Sequence, residues 1–255
     1  MSKKILLSVL SLVSFHLFAT DVIVLMSDST AVDYRKMKNY YKKPWEPMAG
    51  WGEYTLHDLR KGVVLRNYAA GGYSSKSYYN SRFPYYKRGF VKGGWLLLSF
   101  GSNDARPHPK WDRVTQPETT YPEYLEKIAS EALKAGMKVV ILSPLPYFMY
   151  ADGKFRNSVL EPYAAAAKKL AAERNYYFID LFQLVTDKFQ TMSQEEIKSY
   201  YMFLKKGDSP NWPSGVSDPL HFTRKGAAMV WQIILEAIRK DIPELAKYFK
   251  TPAAE

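Results

Sequence analysis

Five short apolar runs, spaced along the chain and separated by longer amphipathic stretches, constrain this sequence more than any other feature. They fall at residues 22–26 (VIVLM), 63–66 (VVLR), 95–100 (WLLLSF), 139–142 (VVIL) and 177–179 (YFI). Several are continuously apolar instead of alternating, which is how strands covered on both faces read. Helical spacing fills the intervals at 51–60, 121–135, 158–174 and 224–239, with Gly62 and Gly136 standing where two of those helices should end. Strand and helix in alternation predict a mainly parallel sheet sandwiched between helices. In such sheets a functional crevice lies beyond the carboxyl ends of the strands. The segments to inspect are therefore 27–30, 68–75, 101–106, 143–148 and whatever the last helix brings alongside.

The first 19 residues stand apart from this pattern. Lys3 and Lys4 precede an apolar segment from Ile5 to Phe18 that ends at Ala19, the plan of a secretory signal peptide, too short for a comfortable membrane span. A buried first helix is the bland alternative. The expected division is a signal peptide over 1–19 and one catalytic domain over 20–255, exported to a periplasm or beyond the cell, with no stable membrane anchor. The chain has no cysteine, which excludes disulfides, thiolate metal sites, a cysteine nucleophile and a lipidated N-terminal cysteine. Lys and Arg number 36 against 25 Asp and Glu. That basic excess favours anionic partners; an acidic polysaccharide is one, and nucleic acid is not expected because no nucleic-acid-binding motif is present. Trp45, Trp111 and Trp212, with Tyr40, Tyr41, Tyr73, Tyr78 and Tyr79, fall in loop-like stretches where aromatics can stack on sugars.

The first apolar run stops at Ser27-Asp28-Ser29-Thr30. This is either a polar turn that starts a helix or a nucleophile at a strand's edge. Far along the chain, "SDPLHFTRKGA" puts Asp218 three residues before His221, so in a turn or first helical turn both side chains point the same way. A carboxylate on the imidazole Nδ1 fixes the tautomer and frees Nε2 to take a proton, the help a serine hydroxyl needs. His57 adjoins Asp58 in a predicted helix, facing solvent. His108 follows the third strand as a rival base, but no carboxylate lies three residues before it. Gly71 and Gly72 follow the second strand and Asn103 the third, each able to offer an N–H to a developing oxyanion; taken singly, both are ordinary turns.

The order of these segments is specific: SDS, a glycine turn after strand two, GxND after strand three, and DxxH near the end. It resembles the SGNH (GDSL) hydrolase family, and within it the rhamnogalacturonan acetylesterase branch, through Ser27-Asp28-Ser29-Thr30, the stretch Asn67 to Ser74, and Gly50-Trp51-Gly52. The resemblance implies a three-layer α/β/α sandwich on a five-stranded parallel sheet (flavodoxin-like). It implies Ser29 as nucleophile, His221 as base oriented by Asp218, and an oxyanion hole from the Ser29 and Gly72 N–H groups and the Asn103 amide. Three positions depart from the family pattern. Ser27 replaces Gly and would strain the turn if a positive φ or tight packing were required; Tyr73 replaces Arg, and Ser102 replaces His. The residues expected to face substrate are Asp28, Tyr73, Ser102, Asp104, His108 and Trp212. No metal or cofactor is expected, since no His and carboxylate cluster has ligand spacing.

The leading expectation is an exported, monomeric serine esterase that removes acetyl groups from a plant cell-wall polysaccharide through an acyl-serine intermediate. A lipase or aryl esterase, with an apolar acyl pocket, is the second reading. A catalytically impaired polysaccharide-binding relative is the third; retention of Ser29, Gly72, Asn103, Asp218 and His221 argues against it.

Overall fold

The computed structural model describes residues 21–36, 45–110, 112–151 and 153–251. The signal-peptide segment, Tyr40, Tyr41 and Trp111 lie outside them. Ten strands run in chain order: β1 Val22–Ser27, β2 Met48–Ala49, β3 Val64–Asn67, β4 Trp95–Ser99, β5 Lys138–Leu142, β6 Tyr150–Ala151, β7 Lys154–Phe155, β8 Tyr177–Ile179, β9 Tyr201–Leu204 and β10 Val216–Thr223. The central sheet has the order β3-β1-β4-β5-β8 and every neighbouring pair is parallel.

The unbroken apolar runs are explained by what covers each face. Successive side chains of a strand point to opposite sides. Ile23, Leu25, Trp95, Leu97, Val140, Leu142 and Ile179 enter one core. Val22, Val24, Met26, Leu96, Leu98, Val139 and Ile141 enter a second core on the other side. Helices Leu181–Gln190 and Arg224–Asp241 seal the first through Leu181, Val185, Val230, Trp231 and Ile234, and Trp231 stacks on Trp51 with ring centroids 6.4 Å apart. Helices Ser75–Ser81, Thr120–Lys134 and Glu161–Arg174 seal the second through Tyr78, Leu125, Ile128 and Leu170. The result is the three-layer sandwich. At roughly 1.5–3 kcal/mol per fully buried large aliphatic side chain, these two cores are the main source of stability.

A second sheet, antiparallel in the order β2-β10-β9, lies beside the first. Its long strand β10 carries Asp218 and His221, so these residues sit on a strand and not in the expected turn or first helical turn. The strand is irregular: Asp218 pairs with Met202 and Phe222 with the next residue back, Tyr201. In a regular strand residues three apart face opposite ways; the bulge over Asp218–Phe222 removes that objection. Tyr78 and Tyr79 are likewise not loop residues. They lie on helix Ser75–Ser81, where Tyr78 is buried and its phenol donates to the Tyr68 carbonyl at 2.8 Å.

Candidate active site

Strand β1 ends at Ser27, and Asp28 caps a single 3-10 turn, Ser29–Ala31. The Asp28 carboxylate accepts from the Thr30 N–H at 2.9 Å and the Thr30 hydroxyl at 2.7 Å, an N-cap that holds Ser29 at the first position of the turn. Burial raises the Asp28 pKa, opposed by the two bonds from Thr30. The far side of the turn is clamped by backbone. Trp51 N–H donates to the Thr30 carbonyl at 3.0 Å, and Asn67 Nδ2 to the Ala31 carbonyl at 2.9 Å. Gly50 and Gly52 make this approach possible, since a Cβ on either would press into the Val32 or Ala31 backbone inside van der Waals contact.

Ser29 Oγ lies 2.9 Å from His221 Nε2, across a sequence separation of 192. His221 Nδ1 lies 2.6 Å from Asp218 Oδ2. The other carboxylate oxygen accepts from the Leu220 and His221 N–H groups at 2.9 and 3.1 Å, so the bulge that aims the imidazole also anchors the carboxylate. Partial burial raises the Asp218 pKa, but the His221 bond and charge, with the two N–H donors, outweigh it and hold the carboxyl at about 2. The pair is therefore set with an ionised carboxylate on Nδ1 and Nε2 turned to the serine. The sequence-predicted Ser29, His221 and Asp218 come together in one hydrogen-bonded series.

Gly72 adopts φ +81°, a conformation that glycine takes without cost, and with Gly71 it lines the pocket beside Ser29. Asn103 is buried and its Nδ2 donates to the Tyr73 carbonyl at 3.0 Å, leaving the second amide hydrogen for another acceptor. Ser27 departs from the family glycine without strain: Asn175 is the one non-glycine residue with positive φ among the described residues. Its cost is of another kind, because its buried Oγ has no hydrogen-bond partner there.

The pocket over Ser29 has a volume of about 270 Å³ and is walled by Val32, Tyr34, Trp45, Met48, Trp212, Asp218 and His221. Tyr34 and Trp45 lie 5.6 Å apart, Trp45 and Trp212 6.1 Å, all tilted. A larger groove of about 410 Å³ lies between helices Thr120–Lys134 and Glu161–Arg174, but its lining holds no nucleophile–base pair, so chemistry and not size selects the site. Of the residues expected to face substrate, Trp212 does line the pocket. Asp28, Ser102 and Asp104 are buried and do not line it. Asp104 accepts from the Ser75 N–H and hydroxyl and from the Thr115 hydroxyl, and burial pushes its carboxyl up to about 6 against those bonds. The Asp28 carboxylate is taken up by Thr30 and the Ser102 side chain, and that of Asp104 by Ser75 and Thr115, so these three are internal struts. Tyr73 packs its ring edge-on to Tyr78 beneath the Arg82 guanidinium, and His108 Nδ1 accepts from Lys110 N–H. Neither is on the pocket wall.

Val32, Tyr34 and Met48 are wall residues that sequence reasoning missed. Tyr34 donates its phenol to the Ser29 carbonyl at 3.1 Å, while its N–H donates to Glu53 Oε1 at 3.0 Å. A partner 19 residues distant leaves no local signal beyond the aromatic side chain.

A serine, an imidazole and a carboxylate in hydrogen-bonded series, at the strand ends of a parallel sheet and beside a glycine turn, define a serine ester hydrolase. The GDSL-like Lipase/Acylhydrolase family matches residues 28–229, and the chain belongs to that family, in its rhamnogalacturonan acetylesterase branch. Rhamnogalacturonan acetylesterase RhgT of Bacillus subtilis (strain 168) is 30% identical over 195 residues, 76% of this chain and 82% of the relative. Probable rhamnogalacturonan acetylesterase YesY of the same organism is 30% identical over 219 residues, 86% of this chain and 92% of the relative. Among solved structures, YxiM of Bacillus subtilis superposes with a TM-score of 0.70 at 24% identity, covering 88% of this chain and 57% of its own. Axe2, an acetylxylan esterase from Geobacillus stearothermophilus, gives 0.61 at 16%, covering 86% and 94%; these two likenesses bear on the fold.

Proposed function

We propose that this protein is an exported carbohydrate esterase that removes O-acetyl groups from a plant cell-wall polysaccharide of the pectin or rhamnogalacturonan type. The observation that carries the reading is the 2.9 Å contact between Ser29 Oγ and His221 Nε2 at the base of a pocket rimmed by Trp45 and Trp212. Names of the relatives and the aromatic rim support a sugar ester, and a pocket of this volume suits a short acyl group. The basic excess and the N-terminal pattern support an acidic polymer outside the cytoplasm.

Ser29 Oγ attacks the acetyl carbonyl carbon as His221 Nε2 takes the hydroxyl proton, and the carbonyl electron pair moves onto oxygen. The oxyanion is met by the Ser29 and Gly72 N–H groups and by Asn103 Nδ2. Collapse expels the sugar oxygen, which takes the proton from His221, and leaves acetyl-Ser29. Water then loses a proton to His221 and attacks the acyl carbon; acetate departs and Ser29 regains its proton. Asp218 stabilises the imidazolium throughout.

Acetate release from acetylated pectin and xylan, with hydrolysis of acetyl against long-chain nitrophenyl esters, tests the reading in wild type and Ser29→Ala. The expected result is acetate release from pectin and faster cleavage of acetyl esters, both lost in Ser29→Ala. Equal activity of the two proteins would remove Ser29 from the chemistry; faster long-chain cleavage would favour a lipase. Sequencing the N-terminus of protein collected outside the cytoplasm should give a chain starting near Thr20.

A further inference from the structure

Arg113 is 8% exposed and has no carboxylate within ion-pair distance among the described residues. Burying a guanidinium without a counter-charge costs several kcal/mol, so its use of that charge calls for a reason. Its hydrogen bonds run to two backbone carbonyls. Nη1 donates to Gly72 O at 3.1 Å and Nε to Arg106 O at 2.9 Å. Arg106 closes the turn that carries Asn103, its N–H donating to the Asn103 carbonyl at 3.3 Å. Asn103 Nδ2 in turn donates to Tyr73 O, one residue beyond Gly72. The bonds close a ring from Gly72 through Arg113, Arg106 and Asn103 back to the Gly72–Tyr73 segment.

We propose that Arg113 is a positioning residue that ties the two oxyanion-donor segments to each other and fixes the spacing between Gly72 N–H and Asn103 Nδ2. The inference rests on the oxyanion roles given above and deepens them. A planar guanidinium with donors in a fixed fork bridges two carbonyls in one geometry, whereas an ammonium on a flexible stem cannot. Gly72 sits at positive φ, and residues 101–106 lie between β4 and helix Thr120–Lys134, so both carbonyls belong to irregular backbone. Ser75 and Asp104 join the two segments further along, but without the bridge Gly72–Tyr73 itself is tied to the Asn103 turn by the Asn103–Tyr73 bond, and the catalytic amide must then hold that stretch as well as the oxyanion.

The test combines Arg113→Gln, Arg113→Lys, Asn103→Ala and the double variant Arg113→Gln/Asn103→Ala, read by thermal melting, kcat and KM on 4-nitrophenyl acetate, and inhibition by methylboronic acid, whose tetrahedral serine adduct mimics the intermediate. Misplacing an oxyanion donor predicts a loss of about 10- to 100-fold in kcat for Arg113→Gln, with KM within about twofold and boronate affinity weakened by the same factor as kcat. Arg113→Lys should recover only part of that loss, and the double variant should fall little below Asn103→Ala, because donors that act as a unit are not additive. Wild-type kcat in folded Arg113→Gln, or a double variant as low as the product of the single losses, would overturn the inference. If Arg113→Gln does not fold, Arg113→Lys decides: full kcat and boronate affinity overturn the inference, and a matched loss of both upholds it. Wild-type kcat in Asn103→Ala would instead overturn the oxyanion reading on which it rests.

Discussion

Replacing Ser27 by alanine should make the protein more stable. Ser27 is the last residue of β1, fully buried, paired in register with Ser99, and its carbonyl accepts from Ala70 N–H at 2.9 Å. Its backbone is therefore satisfied, and the side-chain oxygen is the one polar atom there without a partner. A buried hydroxyl left unsatisfied costs about 1–3 kcal/mol. Ser27→Ala deletes that oxygen, keeps the Cβ and leaves strand geometry alone; against this stands the loss of the oxygen's packing contacts. The net expectation is a gain of about 1 kcal/mol, or roughly 2–4 °C in melting temperature for a domain of this size. Ser27→Gly, the residue of the family pattern, removes the same oxygen but adds chain entropy of about 0.5–1 kcal/mol, and should fall between wild type and alanine. Urea unfolding and differential scanning calorimetry of the three proteins measure the order, while 4-nitrophenyl acetate turnover should stay within about twofold of wild type. An alanine variant less stable than wild type by 1 kcal/mol or more would refute the argument, because it would mean the hydroxyl is satisfied in solution.

Asp218→Asn should retain the fold but lower kcat by about 10³- to 10⁴-fold, since an amide can no longer fix the imidazole tautomer; stopped ester assays with calorimetry separate the two effects. Two of the perturbed carboxyls act in opposite directions on stability. Asp104, raised from 3.8 to about 6, contributes stability below pH 4 that is lost as pH rises to about 6, on the order of 3 kcal/mol; Asp218, lowered to about 2, contributes stability above pH 4 that is lost as pH falls to about 2. Urea midpoints between pH 4 and 6 in wild type and Asp104→Asn measure the first, which the variant should flatten. Gly52→Ala should cost about 2 kcal/mol or more and most of the activity, because the added methyl meets Ala31 O and Asn67 Nδ2; a stable, active variant would show that the Ser29 turn does not depend on that approach.

The parallel sheet was legible because its strands are covered on both sides. β1 and β4 are buried at every position and apolar up to the serine that closes each, Ser27 and Ser99. The antiparallel sheet was not legible. β10 contains Asp218, Pro219 and a bulge, and its partner β2 is two residues long and more than 160 residues away; no local period marks such a strand. The convergence of Ser29, His221 and Asp218 could be read because the order of their segments is specific, while the inner struts could not. Asp28, Ser102 and Asp104 are polar residues in turns, a description that fits a ligand contact as well as a buried cap, and only the distant donors Ser75 and Thr115 tell Asp104 apart. Arg113 escaped notice for the same reason: its partners are carbonyls, which every residue has.

Ser29 stands just beyond the end of one sheet and His221 on a strand of another, so the 2.9 Å contact between them gauges how the two sheets are seated. Helix Arg224–Asp241 leaves β10 directly and stacks Trp231 on Trp51, whose N–H holds the Ser29 turn through the Thr30 carbonyl. Turnover is thus a sensitive vernier: a slippage of an ångström in that wedge, too small to alter melting or helical content, would first be felt as silence in the enzyme.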